Sequence, residues 1–159
     1  MDELIIRPAT NQDRERVVRL VSDVLTEHGL KLNLEETDAD LANIEASYMH
    51  DGGVFEVLED ADGKLVGTAG LFPLDAETCE LRKMYFVPGI RGRGLGRRML
   101  ERMLAHAREA GFRRMTLETA SVLQTAIRLY QSVGFKPVAT PHLSARCDQS
   151  YALDLLEAE

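Results

Sequence analysis

Apolar residues recur along the chain with two periods, and the changes of period divide it into elements. Residues 4–6 form a short apolar run that reads as a strand. Thr10 then offers a cap, and Val17, Leu20, Val21, Val24 and Leu25 follow at the spacing of one helix face, which Gly29 ends. Thr37 ahead of Leu41, Ile44 and Tyr48 predicts a second helix, closed by Asp51, Gly52 and Gly53. Residues 54–58 alternate as a strand does, Asp60-Ala61-Asp62-Gly63 supplies turn chemistry, and residues 64–71 return, which makes a hairpin. A further strand over residues 80–87 is stopped by Pro88. A glycine-rich segment then opens a helix running to about residue 110, with Gly111 as its stop. Its stripe of Leu95, Met99, Leu100, Met103, Leu104 and Ala107 reads as core packing. Strand 114–118, helix 122–133, strand 135–138 and a last strand at 151–155 complete the chain. The order is β-α-α-β-β-β-α-β-α-β-β, an α/β (α+β) fold with a mixed sheet.

A length of 159 residues with 45% hydrophobic content suffices for one core, so residues 1–159 read as a single domain. Charged residues are interspersed with apolar ones, and no linker, repeat or low-complexity run interrupts them. The formal charge of −7 excludes nucleic acid as a general ligand and favours cationic or amine-bearing partners. Arginines nevertheless crowd one central segment, at Arg91, Arg93, Arg97, Arg98, Arg102, Arg108, Arg113 and Arg114, and an anionic ligand is expected there. The amino-terminal residues combine acids with a short apolar run, so no signal peptide, no membrane span and a cytoplasmic location are expected. Cys79 and Cys147 lie far apart, and His28, His50, His106 and His142 lack ligand spacing, so neither a disulfide nor a metal site is expected.

Gly92, Gly94 and Gly96 sit at alternate positions between a strand and a helix. Such a turn lets the backbone approach a ligand closely and aims several amide N–H groups at one point, which attracts phosphate. Arg91, Arg93, Arg97 and Arg98 surround that point, and guanidinium forks suit diphosphate oxygens. A polyphosphate-bearing cofactor is the economical reading, against a solvated glycine-rich loop as the plain one. A dinucleotide fold competes, with Glu118 near the place of a ribose-binding acid. The spacing is GxGxG rather than GxGxxG, however, and the preceding strands read as an antiparallel meander.

Leu81-Arg82-Lys83-Met84-Tyr85-Phe86-Val87-Pro88, followed by Arg91-Gly92-Arg93-Gly94-Leu95-Gly96, resembles the acetyl-CoA signature of the GNAT acetyltransferases. Ala126-Ile127-Arg128-Leu129-Tyr130-Gln131-Ser132-Val133-Gly134-Phe135 is similar to the family's later helix and the strand entry after it. The resemblance implies the GNAT fold, acetyl-CoA as cosubstrate with no metal, and transfer of the acetyl group to a primary amine. It also implies that Arg91, Gly92, Arg93, Gly94, Leu95 and Gly96 receive the pyrophosphate through backbone amides. The backbone of Tyr85, Phe86 and Val87 would pair with the pantetheine arm, and Arg97 would reach a phosphate. Tyr130 matches the tyrosine that protonates the departing thiolate. By pattern alone it is a core tyrosine, since Ala126, Leu129, Tyr130 and Val133 share a face. Glu80 matches a position where some members place a catalytic glutamate; its alternative is a carboxylate at the strand start paired with Arg82. Leu123 stands where many members carry asparagine, which removes a familiar coenzyme contact unless Gln124 or Thr125 replaces it.

The implied reaction is direct attack by the amine in a ternary complex; the rival is a non-catalytic acyl-CoA-binding module. The acceptor, a small-molecule or peptide amine, is expected between segments 30–49 and 139–149. There Glu35, Glu36, Asp38, Asp40 and Glu45 either draw a cation or form a solvated helix face. Members of the family commonly form homodimers, and the sequence itself carries no mark of one.

Overall fold

A computed structural model describes residues 3–139 and 143–157. Its elements run β1 (Ile5–Pro8), α1 (Arg14–Glu27), α2 (Ile44–Tyr48), β2 (Val54–Glu59), β3 (Leu65–Pro73), β4 (Thr78–Phe86), α3 (Leu95–Glu109), β5 (Arg114–Thr119), α4 (Gln124–Ser132), β6 (Lys136–Pro137) and β7 (Gln149–Asp154). The order is the one the periodicity predicts. Thr10 and Asp13 form a reciprocal cap: the Thr10 hydroxyl accepts from the Gln12 N–H at 3.2 Å, and the Asp13 carboxylate accepts from the Thr10 N–H at 2.8 Å. A 3₁₀ turn, Asn11–Asp13, therefore precedes α1.

The second expected helix is two pieces. A 3₁₀ turn, Ala39–Ala42, is separated from α2 by Asn43, which is extended (φ −146°, ψ 91°) and caps α2 by accepting from the Ala46 N–H at 3.0 Å. The cap is Asn43, not Thr37. The expected strand 135–138 contracts to two residues, since Pro137 has no N–H to pair.

Among the described residues the strands form one sheet in the order β1-β2-β3-β4-β5-β7-β6. Neighbours are antiparallel except β4 and β5, which run parallel and pair only at Thr78–Glu80 against Arg114–Thr116. Beyond Glu80 the two strands part, and a cavity opens between them. On one face α1 and α2 bury Val17, Val21, Ile44 and Tyr48 against Phe55 and Val57. On the other, α3 and α4 bury Met99, Leu100, Met103 and Ile127 against Leu71, Leu81 and Met115. Each fully buried side chain of this size contributes about 1.5–3 kcal/mol, so the stripe on α3 fixes that helix and with it the position of its amino terminus. Among the described residues no helix is long and apolar enough to cross a membrane.

β4 departs from regular alternation. Thr68 of β3 pairs with Tyr85, but Gly70, two residues on, pairs with Arg82 three residues back, so β4 carries one extra residue. Cys79 and Leu81 face the α3 core, and the next residue to do so is Met84. Lys83 sits in the bulge with φ +57°, a left-handed backbone on a residue other than glycine.

Candidate active site

The cavity between β4 and β5 has a volume of about 1440 Å³. Glu80, Tyr85, Phe86, Arg91, Gly92, Gly94, Leu95, Gly96, Arg97 and Tyr130 all line it. Of the residues singled out in the sequence, Val87 and Arg93 are not among the lining.

One end is the glycine turn. Gly92 (φ +82°) and Gly94 (φ +78°) both need the left-handed region, and a Cβ built on either meets no atom within 4 Å. The space beside them is open enough for a ligand to approach the main chain. Gly94 is the N-cap of α3, and Arg98 donates the helix's opening hydrogen bond, to the Gly94 carbonyl at 3.1 Å. The amides of Leu95, Gly96 and Arg97 belong to the first turn, where no helical carbonyl precedes them. Their N–H groups and the positive end of the α3 dipole thus meet at the turn, as a diphosphate requires. Gly96 has Leu129 beside it as well: a Cβ there would lie 3.4 Å from Leu129 Cδ2.

The arginines divide by role. Arg91 donates its amide to the Pro88 carbonyl at 3.2 Å, and its guanidinium grips Glu27 and the Phe86 carbonyl, so it braces the loop. Arg97 donates to Ser132 Oγ at 2.8 Å and joins α3 to the end of α4. Arg102 lies further along α3, bonded to buried Glu56 at 2.7 and 2.9 Å. The central run of arginines is therefore not one undivided anion site.

The middle of the cavity is bounded by the main chain of β4. Val87 N–H donates to the Val66 carbonyl at 3.0 Å, so by ladder alternation the Phe86 amide and carbonyl point away from β3, and the carbonyl meets Arg91. Opposite, Leu123 is the N-cap of α4 and makes no side-chain cap bond. Gln124 donates to the Ser121 carbonyl and Thr125 accepts from Arg128, so both candidate replacements for the usual asparagine are engaged within the chain.

Glu80, Tyr130 and Cys147 are among the titratable groups on the cavity wall. Glu80 lines the cavity and is bonded to Arg82, whose guanidinium stacks 3.8 Å from the Phe72 ring centre. Burial raises the Glu80 carboxyl above its ordinary range, against the pull of Arg82. Tyr130 is 6% exposed and packs edge-on against Phe135; burial raises its phenol, which stays protonated at neutral pH. Among the described residues its hydroxyl has no hydrogen-bond partner. Both readings of Tyr130 thus meet in one residue: a core ring with its hydroxyl group unengaged beside the cavity. Cys147 also lines the cavity, and burial raises its thiol, which leaves little thiolate for nucleophilic work.

Glu118, near the place of a ribose-binding acid in the sequence, instead accepts from the amide and hydroxyl of Ser144 at 3.0 and 2.9 Å. Asp38 and Asp40 are not a solvated face. Asp38 is fully buried, held by Arg146 at 2.7 and 2.8 Å and by Lys83 at 3.1 Å, while Asp40 bonds Tyr48 and lies 3.2 Å from Lys83. Burial alone would raise the Asp38 carboxyl, but the hydrogen bonds from Arg146 lead the groups that bring it down to about 2. Sequence reasoning missed this cluster because its members lie 108 residues apart at the extreme. Residues 140–142 of the expected acceptor loop lie outside the described residues. Among the described residues no group of His, Cys, Asp and Glu could hold a metal ion.

The model of the acetyltransferase (GNAT) family matches residues 17–135, which spans both the glycine turn and Tyr130. The chain belongs to the GNAT acetyltransferase family. This acetyltransferase is 37% identical over 139 residues to the uncharacterized N-acetyltransferase YjgM of Escherichia coli, covering 84% of the present chain and 83% of that one. It is 32% identical to the uncharacterized N-acetyltransferase C1271.07c of Schizosaccharomyces pombe, covering 79% and 77%. Among solved structures, a GNAT acetyltransferase of Staphylococcus aureus Mu50 shares the fold with a TM-score of 0.89 at 22% identity, covering 96% and 99%. The yncA protein of Salmonella typhimurium, solved with its cofactor acetyl-CoA, has a TM-score of 0.72 at 24% identity, covering 96% and 94%. The acetyltransferase is accordingly an acetyl-CoA-dependent enzyme of N-acetyl transfer, with the mixed sheet expected of it.

Proposed function

We propose that the chain transfers the acetyl group of acetyl-CoA directly to a primary amine held at the Glu80 end of the cavity. The observation that carries this is one cavity lined by the open glycine turn, Glu80 and Tyr130 together. The bound cosubstrate supplies an activated acetyl thioester. The turn residues Gly92, Arg93, Gly94, Leu95 and Gly96 hold its pyrophosphate, Arg91 braces their loop, and Arg97 lies within reach of a phosphate. Of the expected Tyr85, Phe86 and Val87, the main chain of Phe86 holds the pantetheine arm as a strand would, through the amide that points away from β3; Tyr85 pairs with Thr68, and the Val87 amide is spent on the Val66 carbonyl.

Glu80 accepts a proton from the acceptor ammonium, directly or through water. A model amine has a pKa near ~10 and is mostly protonated at neutral pH, and the raised carboxyl narrows the gap between the two groups. A main-chain amide at the β4 bulge donates to the acetyl oxygen as charge develops there. Tyr130, neutral and unengaged, gives its proton to the departing sulfur. The protonated Cys147 thiol favours this direct route over a covalent acetyl-cysteine.

Thiol release from acetyl-CoA across a panel of amines tests the reading. Release that depends on an amine supports it. Acetyl-CoA binding with no release under any amine would turn the assignment to an acyl-CoA sensor.

A further inference from the structure

We propose that the buried ions around Lys83, together with Thr68, clamp the β4 bulge so that the Met84 amide points into the cavity, which makes Lys83, Asp38 and Thr68 positioning residues for acetyl transfer. The proposal rests on the oxyanion role given above to a bulge amide.

A left-handed backbone is unfavourable for a residue with a Cβ, and bulges of this kind usually carry glycine. Here the position is Lys83, with φ +57°. The bulge turns this side chain away from the α3 core and delivers its Nζ to Asp38 at 3.1 Å and Asp40 at 3.2 Å. The Lys83 side chain is 5% exposed and that of Asp38 is 0% exposed. Separating them would leave charges buried and unpaired, which is strongly unfavourable. Regular strand geometry would direct the ammonium to the apolar face, so the ion cluster and the left-handed backbone require each other.

Thr68 supplies the second hold. Its hydroxyl donates to the Lys83 carbonyl at 2.6 Å from the neighbouring strand. That carbonyl and the Met84 N–H belong to one planar trans peptide, in which they point in opposite directions. A carbonyl held toward β3 therefore aims the Met84 amide away from β3, to the side where β4 and β5 part. Asp38 extends the brace outward, because Arg146 grips both its oxygens and also donates to the Lys31 carbonyl at 3.0 Å. Three segments around the cavity are thereby tied to a single peptide plane.

Thr68 gives the cleaner test, since it is fully buried and is not among the residues lining the cavity. Thr68→Val keeps the shape and removes the hydroxyl. It should lower kcat about tenfold or more while leaving acetyl-CoA affinity unchanged, and Thr68→Ser should restore kcat. Hydrogen exchange at the Met84 amide should rise in Lys83→Ala and rise less in Lys83→Gly, which adopts positive φ freely. Unchanged turnover per folded Thr68→Val molecule would overturn the proposal, as would a loss of cofactor affinity equal to the loss of rate, or exchange that both Lys83 variants leave alone. If the parent released no thiol with any amine, the transferase reading would fall, and the exchange comparison alone would decide whether the clamp exists.

Discussion

Glu27, on the last turn of α1, holds the Arg91 guanidinium with both carboxylate oxygens, at 2.5 and 2.8 Å, and the same guanidinium donates to the Phe86 carbonyl at 2.6 and 2.9 Å. One side chain thus joins the first helix, the phosphate-facing loop and the strand along the cavity. The Arg91 hydrogen bonds lower the Glu27 carboxyl, but an exposed pair contributes little to global stability. Glu27→Ala should therefore leave the thermal midpoint nearly unchanged and raise the acetyl-CoA Kd several-fold by loosening the turn. Tighter binding in calorimetry would show instead that Glu27 competes with the cofactor for Arg91.

Gly94 caps α3 with φ +78° and faces open space. Gly94→Asp places a side chain and a negative charge where the diphosphate belongs, and adds backbone strain of about 1–2 kcal/mol. Acetyl-CoA affinity should fall by roughly a hundredfold or more, at several kcal/mol, in a protein that still folds. The parent's thermal stabilisation by acetyl-CoA should vanish with it. A folded variant that binds as the parent does would place the cofactor elsewhere.

Tyr130→Phe keeps the ring that packs on Phe135 and deletes a hydroxyl with no partner among the described residues. Its melting point should stay within a degree or two of the parent, because no hydrogen bond is lost. Turnover should drop about 10²–10⁴-fold at unchanged acetyl-CoA affinity. Equal turnover per folded molecule would remove Tyr130 from the chemistry.

Burial favours the neutral form of Glu80, so the carboxylate needed as a base forms less readily than in an exposed glutamate. The acid limb of kcat/KM should accordingly lie at a higher pH than an exposed glutamate would give. Glu80→Gln should lower kcat/KM and erase that limb. A limb that survives the substitution belongs to another group, such as the acceptor.

Element order was readable because Leu20, Val24, Met99 and Met103 keep helical spacing, and because Cys79 and Leu81 alternate as a half-buried strand requires. The left-handed glycines of the turn were readable from local sequence, whereas pattern alone made Tyr130 a core residue and only the family resemblance set it beside the cavity. The ion cluster was not readable: Asp38 and Arg146 meet only in three dimensions, and a buried aspartate looks the same in sequence as an exposed one. The bulge left a trace nonetheless. Apolar positions 79 and 81 are followed by 84 rather than 83, a slip of one that period-two alternation forbids in a regular strand. The split at Asn43 was hidden because Leu41, on the 3₁₀ turn, and Ile44 and Tyr48, on α2, keep helical spacing across the break.

The short pairing of β4 with β5 gives this sheet an interior edge as well as its outer ones. Past Glu80 and Thr116 each strand presents main-chain donors and acceptors to the gap, with the other strand too far away to take them. A sheet edge accepts any extended chain that reaches it, and a pantetheine arm, with its two amides, is extended and of the right polarity. On the function proposed above, the cosubstrate would complete the architecture as well as the reaction. Depletion of acetyl-CoA would then leave a seam through the middle of the sheet, where, among the described residues, β4 and β5 share a ladder of three residue pairs.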